Sequence, residues 1–341
     1  MAASSTTDPD AGDCRTTALP PDADSLPFRD VEIDLGADFA LDSGERLDDP
    51  RLLVRLHGAP APVIVAAGGI SAGRKVADAG GETGWWRALA KKGGGIDVAR
   101  HQLLGFDFLP GAEREAKTIT PNDQARALAV ALDRLGVAKI RGFVGASYGG
   151  FVGLAFAALY PARVEKVGVI SAALRSHPMS TALRGVQRRM IKFAQETGRE
   201  RDGVALAREL AMTTYRTPEE FGARFSSKPL GPRAGDPYDV CGYLEARGRA
   251  YAETMNAARY LTLSDSLDRA DIDPSRIKAD CLFIGARTDR LVPIGDVETA
   301  ARAVASATFM VIDSLVGHDA FLVDAPLYEG ALRTFLAGAK Q

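Results

Sequence analysis

Gly145-Ala-Ser-Tyr-Gly149 fits the pattern G-x-S-x-G, and Gly150 follows it. A serine hydroxyl is a weak nucleophile until a base takes its proton, and the base needs an acid to orient it. The chain holds four histidines in 341 residues, and only His177 and His318 lie downstream of Ser147. Where a serine sits on a strand-to-helix elbow, the partners follow in the order Asp or Glu, then His. His318, in Leu315-Val-Gly-His-Asp-Ala320, follows the strand-like run Thr308–Ile312, whereas His177 precedes every late strand. Asp289, in Ala286-Arg-Thr-Asp-Arg-Leu-Val-Pro293, follows the apolar run Cys281–Gly285. Asp280 stands at the opposite end of that run, and Asp296, the runner-up, reads as a helix-start residue. Ser147, Asp289 and His318 are therefore the expected triad. An oxyanion formed at Ser147 needs two backbone N–H groups. Tyr148, directly after the nucleophile, is expected to supply one. Ile70 or Gly69, in Gly68-Gly-Ile-Ser-Ala72, is expected to supply the other. Gly93-Gly-Gly95 lacks the Lys and Ser/Thr of a phosphate loop.

Such a serine has to stand between a buried strand and a helix. Ile140–Val144 is an apolar strand before the motif, and Phe151–Leu159 is an apolar helix after it, stopped before Pro161. Val63–Ala67, closed by Gly68-Gly69, reads as a buried parallel strand, and Gln102–Asp107 and Val164–Ile170 are similar. Val31–Leu35 and Arg51–Leu56 alternate or nearly so, as half-buried strands do. Asp123–Leu135 carries a helical pattern ending at Gly136, and Leu327–Leu336 reads as a closing helix. Alternating strands and helices predict a doubly wound, mostly parallel α/β sheet; with the elbow, the α/β-hydrolase fold. Met179 to about Tyr260, rich in Arg, Glu and Ala, offers helices and no buried strand. The expected division is a disordered tail over 1–27, a core over 28–175 and 272–341, and a helical lid over 176–271.

Hydrophobic residues make up 46% of the chain and charged residues 25%, enough for a large core. A net charge of −2 gives no reason to expect nucleic acid or an acidic membrane as partner. No apolar run approaches the length of a membrane span. The N-terminal stretch lacks the basic start and apolar run of a signal peptide. Cys14, Cys241 and Cys281 are odd in number and scattered, so neither a disulfide framework nor a metal site is expected, and a reducing cytoplasm fits.

On further motifs the chain resembles the homoserine O-acyltransferase family. Trp85-Trp86 and Gly93–Ile96 with Asp97 look like its paired tryptophans and glycine-rich turn. Gly203-Val-Ala-Leu-Ala-Arg208 with Thr214-Tyr-Arg216 is similar to its lid helix and following T-Y-R. Val240–Leu244 and Asn256–Leu261 are similar to two further lid segments, and Gly317-His-Asp-Ala-Phe-Leu322 is the most specific match. The resemblance covers most of the chain after about residue 60. It implies ping-pong transfer from an acyl-CoA substrate, succinyl-CoA or acetyl-CoA, to L-homoserine, with no bound cofactor. By position it implies that Arg208 reads the amino acid's carboxylate and Asp319 its ammonium. It also implies a homodimer through the lid. Ala182-Leu-Arg-Gly-Val-Gln-Arg-Arg189 places Arg184 where acetyl-transferring relatives commonly carry asparagine. Arg184 is therefore expected to meet the second carboxylate of a succinyl group with two parallel hydrogen bonds, and Arg74 is its rival. Three departures mark a divergent branch. Phe108–Arg114 replaces a G-S-T-G-P-like segment, Tyr148 stands where Met or Phe is usual, and Gly68–Arg74 replaces a histidine-led oxyanion loop. Homoserine and serine differ by one methylene, so the acceptor stays open between them. An esterase using the same triad, and a binding protein on an inactive scaffold, are the other readings. The latter has no use for an intact triad in order.

Overall fold

Val63, Val65 and Ala67 pack into one hydrophobic core, while Ile64 and Ala66 pack into another. That period of two is a strand with a helical layer on each face, which is why the run is apolar throughout. The computed structural model describes residues 26–111 and 115–338. The tail expected over 1–27 lies outside these, save Leu26 and Pro27. Those two are already engaged: Leu26 packs on the second core, and the Pro27 carbonyl accepts from Gly58 N at 2.7 Å.

Eight strands build the sheet: β1 (Phe28–Asp34), β2 (Arg51–His57), β3 (Val63–Ala67), β4 (Gln102–Phe106), β5 (Ile140–Ala146), β6 (Val164–Ile170), β7 (Asp280–Ala286) and β8 (Ala307–Ile312). Their order across the sheet is β1-β2-β4-β3-β5-β6-β7-β8. β2 runs antiparallel to both β1 and β4, and every later pair is parallel. The fold is thus the expected α/β-hydrolase sheet. Helices α1 (Pro121–Arg134) and α2 (Tyr148–Leu159) follow β4 and β5. α1 starts earlier than its apolar pattern, because Thr120 caps it in a reciprocal box with Asp123 and Pro121 occupies the first turn. α2 starts at Tyr148, three residues before the apolar run that signalled it.

Between β6 and β7 stand five helices: α3 (Pro178–Gln195), α4 (Glu200–Tyr215), α5 (Pro218–Arg224), α6 (Asp239–Ala252) and α7 (Ala257–Asp268). All but α5 share a core of their own, with Ile191, Val204, Ala207 and Tyr260 in it and Tyr251 of α6 packed against it. The chain leaves for these helices and returns from them at one place. Arg175 and Asp271 form an antiparallel bridge, and Ile272 N donates to Leu174 O at 3.2 Å. After β7 come α8 (Ile294–Ala303), α9 (Ala320–Val323) and α10 (Pro326–Ala337). Among the described residues no helix is long and apolar enough to cross a membrane.

Candidate active site

Ser147 sits between β5 and α2 with φ 53° and ψ −120°, a conformation rare for a residue with a side chain. The turn is that tight because Gly149 lies against β3. A Cβ on Gly149 would stand 2.2 Å from the Ala67 carbonyl oxygen, and one on Gly145 would stand 2.2 Å from the Gly149 oxygen. Small residues at those two places let the elbow close and push the serine out of line.

His318 Nε2 lies 2.9 Å from Ser147 Oγ, and its Nδ1 lies 2.7 Å from Asp289 Oδ2. The other Asp289 oxygen accepts from the N–H groups of Leu291 and Val292, both at 2.9 Å. With its carboxylate so anchored, Asp289 fixes the tautomer: Nδ1–H donates to it and Nε2 faces the serine. Burial works against the charged imidazole, but the charge and hydrogen bond of Asp289, with Asp319 adding, outweigh it and raise the His318 pKa. The histidine loop is set by Gly317 at φ 77°, where a Cβ would press 2.9 Å from the Tyr215 oxygen. Thr217 Oγ1 donates to Leu315 O at 2.5 Å on the same side.

Tyr148 N–H opens α2, where a helix has no internal acceptor to offer. Among the described residues nothing accepts from it or from the Ile70 N–H, while Gly149 N donates to Gly68 O at 2.8 Å and ties the two loops together. The Gly69 N–H is likewise without an acceptor there, and unpaired N–H groups on these two loops are what a developing oxyanion requires. The Tyr148 side chain points away into the core, where its hydroxyl lies 2.6 Å from Ser266 Oγ.

Ser147, His318, Ile70, Arg208, Asp319 and Arg184 line a single cavity. Arg208 lies over the rings of Tyr215 and Tyr251, at 5.1 and 4.7 Å, and makes no hydrogen bond among the described residues. Asp319 faces the same cavity, so charges of both signs stand across one space.

A family model described as α/β hydrolase fold matches residues 53–325. The homoserine O-succinyltransferase of Xanthomonas campestris is 39% identical over 84% of this chain and 79% of its own length. That likeness decides the family. The chain is a homoserine O-acyltransferase family member. The crystal structure of homoserine O-acetyltransferase from Staphylococcus aureus superposes with a TM-score of 0.80 at 25% identity, covering 92% of this chain and 97% of that one. Esterase E22 superposes with a TM-score of 0.82 at 19% identity, over 91% and 100% of the two chains, and that likeness speaks for the fold alone.

Two expectations about this acyltransferase need correcting. Arg184 is not free to grip a ligand with two parallel bonds. It is 7% exposed, and its Nε and Nη2 donate to Asp268 Oδ1 at 2.9 and 2.5 Å, with Ser176 Oγ also at 2.8 Å from Nη2. A buried guanidinium needs a counter-ion, and Arg184 shares Asp268 with Arg188 as that ion. Arg74 is turned away from the cavity: it pairs with Asp107 at 2.5 Å and Asp30 at 3.3 Å and borders a separate, open recess. Sequence reasoning missed Asp268 altogether. It also missed Arg188, whose Nη1 reaches the second Asp268 oxygen at 2.7 Å, as a partner in that cluster. Asp268 ends α7, which also carries Arg259 and Asp265, so no local pattern singles it out. Trp85 is a further unassigned support. Its Nε1 donates to Gly73 O at 2.9 Å, and its ring closes on Gly68, holding the loop that carries Ile70.

Proposed function

We propose that this acyltransferase carries a succinyl group from succinyl-CoA to the hydroxyl of L-homoserine through an acyl-Ser147 intermediate. Homoserine O-acetyltransferase and serine O-succinyltransferase are the alternatives. The observation that carries the donor assignment is the cluster of Arg184, Arg188 and Asp268. Two guanidinium groups share one carboxylate, all three are largely buried, and Arg184 lines the cavity. One positive charge is left over there, and Arg184 Nη1 makes no hydrogen bond to the protein among the described residues. A buried charge without a counter-ion is costly, and the distal carboxylate of a succinyl group supplies one. An acetyl group has nothing to offer that cluster. The Xanthomonas relative's name points the same way.

In the first half-reaction His318 Nε2 takes the Ser147 proton as Oγ attacks the thioester carbonyl. The oxyanion sits on the Tyr148 and Ile70 N–H groups, and the departing thiolate of CoA takes the proton back from His318. The homoserine hydroxyl then loses its proton to His318, attacks the acyl carbon and releases Ser147 with the proton returned. Arg208 and Asp319 hold the carboxylate and ammonium of the acceptor during that step. This pair also disfavours the esterase reading, since water needs no zwitterion clamp.

The deciding assay crosses acetyl- and succinyl-CoA with homoserine and serine and follows free CoA. Succinyl-CoA with homoserine should be the fastest pair. In Arg184→Asn the efficiency with succinyl-CoA should fall about ten- to a hundredfold, the scale of one charge-assisted hydrogen bond, while acetyl-CoA use holds or rises. A wild type that prefers acetyl-CoA, or an equal loss with both donors, removes the assignment.

The pH profile provides a second check. His318 accepts a proton only when neutral, and its raised pKa keeps it protonated to higher pH than an ordinary histidine. kcat/KM for the donor should therefore be full on the alkaline side and fall as pH drops through a pKa above about 6.5. An acidic limb centred below that value would contradict the effect of Asp289 on the imidazole.

A further inference from the structure

Thr214-Tyr-Arg216 closes α4, and the arginine of that triplet has no part in the chemistry so far. Its Nε donates to Asp319 Oδ2 at 3.0 Å, and its Nη1 reaches Glu220 Oε1 at 3.3 Å. The Arg216 and Asp319 side chains are each only 15% exposed, so solvent screens this contact weakly. Glu220 is itself set by Arg224, whose Nη1 donates to the same oxygen at 2.7 Å, and by Thr217 Oγ1, which accepts from its N–H at 3.1 Å. Arg216 is thus held from behind and holds Asp319 in front.

Opposite charges facing one another across a cavity tend to close on each other, and a ligand must then break their pair before it can use either. Here Arg208 and Asp319 line the same cavity and yet form no ion pair. Tyr215 carries Arg208 on its ring, while Arg216, the next residue, takes one oxygen of Asp319. Two consecutive residues hold the two charges apart.

We propose that Arg216 is a positioning residue that keeps the acceptor clamp open, by holding Asp319 off Arg208 with one carboxylate oxygen left for the incoming ammonium. The inference rests on the acyl-transfer reading above. It assigns Arg216 to the amino-acid step alone, since Arg216 touches neither Ser147, His318 nor Asp289.

The test is Arg216→Gln, which removes the charge but keeps a polar side chain. Two quantities are read separately: the burst of CoA released on acylation without acceptor, and the steady-state KM for homoserine. The burst rate and amplitude should match wild type, while the acceptor KM rises roughly tenfold or more, the scale set by losing a charge-assisted contact. Arg216→Lys keeps the charge but cannot bridge Asp319 and Glu220 with a planar fork, so its KM should fall between the two. It also decides the matter if the glutamine variant does not fold. An unchanged acceptor KM in the folded variant overturns the proposal. So does a burst that falls by the same factor as the acceptor step, because that marks a general structural role. A wild type that shows no acyl-enzyme burst at all overturns the acyl-transfer reading and this proposal with it.

Discussion

Ser147→Ala should lower acyl transfer by roughly 10³-fold or more while leaving the fold intact, because nothing else at the elbow can form the acyl bond. Alanine is smaller than serine, and the backbone at φ 53° is held there by the surrounding glycines rather than by the hydroxyl. Among the described residues Oγ hydrogen-bonds only to His318, so its loss leaves one atom, His318 Nε2, without a protein partner, on a residue that lines the cavity. Wild-type protein given succinyl-CoA without an acceptor should carry one succinyl adduct on Ser147 in intact-mass measurement, and the variant none. Active wild-type enzyme without any adduct would rule out the two-step scheme in favour of direct transfer.

The second large effect should come from Arg208→Ala and Asp319→Ala. Removing one partner of a desolvated charge pair costs about 2–5 kcal/mol, so use of homoserine should fall roughly thirtyfold to a few thousandfold. Arg208 is held by stacking on Tyr215 and Tyr251 rather than by a protein carboxylate, so its charge is available to a ligand. Asp319 shares one oxygen with Arg216, so its effect should lie towards the lower end of that range. Acylation of Ser147 should change far less in both variants. Rapid-quench measurement of each half-reaction separates the two. Normal acceptor kinetics in either variant would remove that residue from the clamp.

The parts of the molecule that could be read from the chain are those fixed by local pattern. An apolar strand, a G-x-S-x-G turn and an apolar helix locate Ser147, because a strained elbow tolerates few residues. The order of Asp289 and His318 after their strands follows from the sheet, since both must emerge at the same edge as the serine. The start of α2 was not visible, because Gly149 and Gly150 look like turn residues and are helical only where β3 comes close. Arg184 was read as an open hand because its counter-ion lies 84 residues away, and no spacing rule joins α3 to α7. Arg216 is hidden for the same reason: its partner Asp319 is 103 residues on, beyond two strands of the sheet. Long-range charge pairing is a property of the folded chain, and composition is silent about it.

The bridge between Arg175 and Asp271 marks off one continuous stretch of the chain as well as one layer of the fold. The residues proposed to choose between ligands on the helical side, Arg184, Arg188, Arg208 and Asp268, lie on the stretch enclosed by that single rung. The nucleophile and its two partners lie outside it. On that proposal, substitutions in the enclosed cassette should change donor and acceptor preference while leaving the bond-making apparatus unaltered. Asp319 is the exception, a core residue that serves the cassette. Its contact with Arg216 is the point where the cassette and the core are joined by charge.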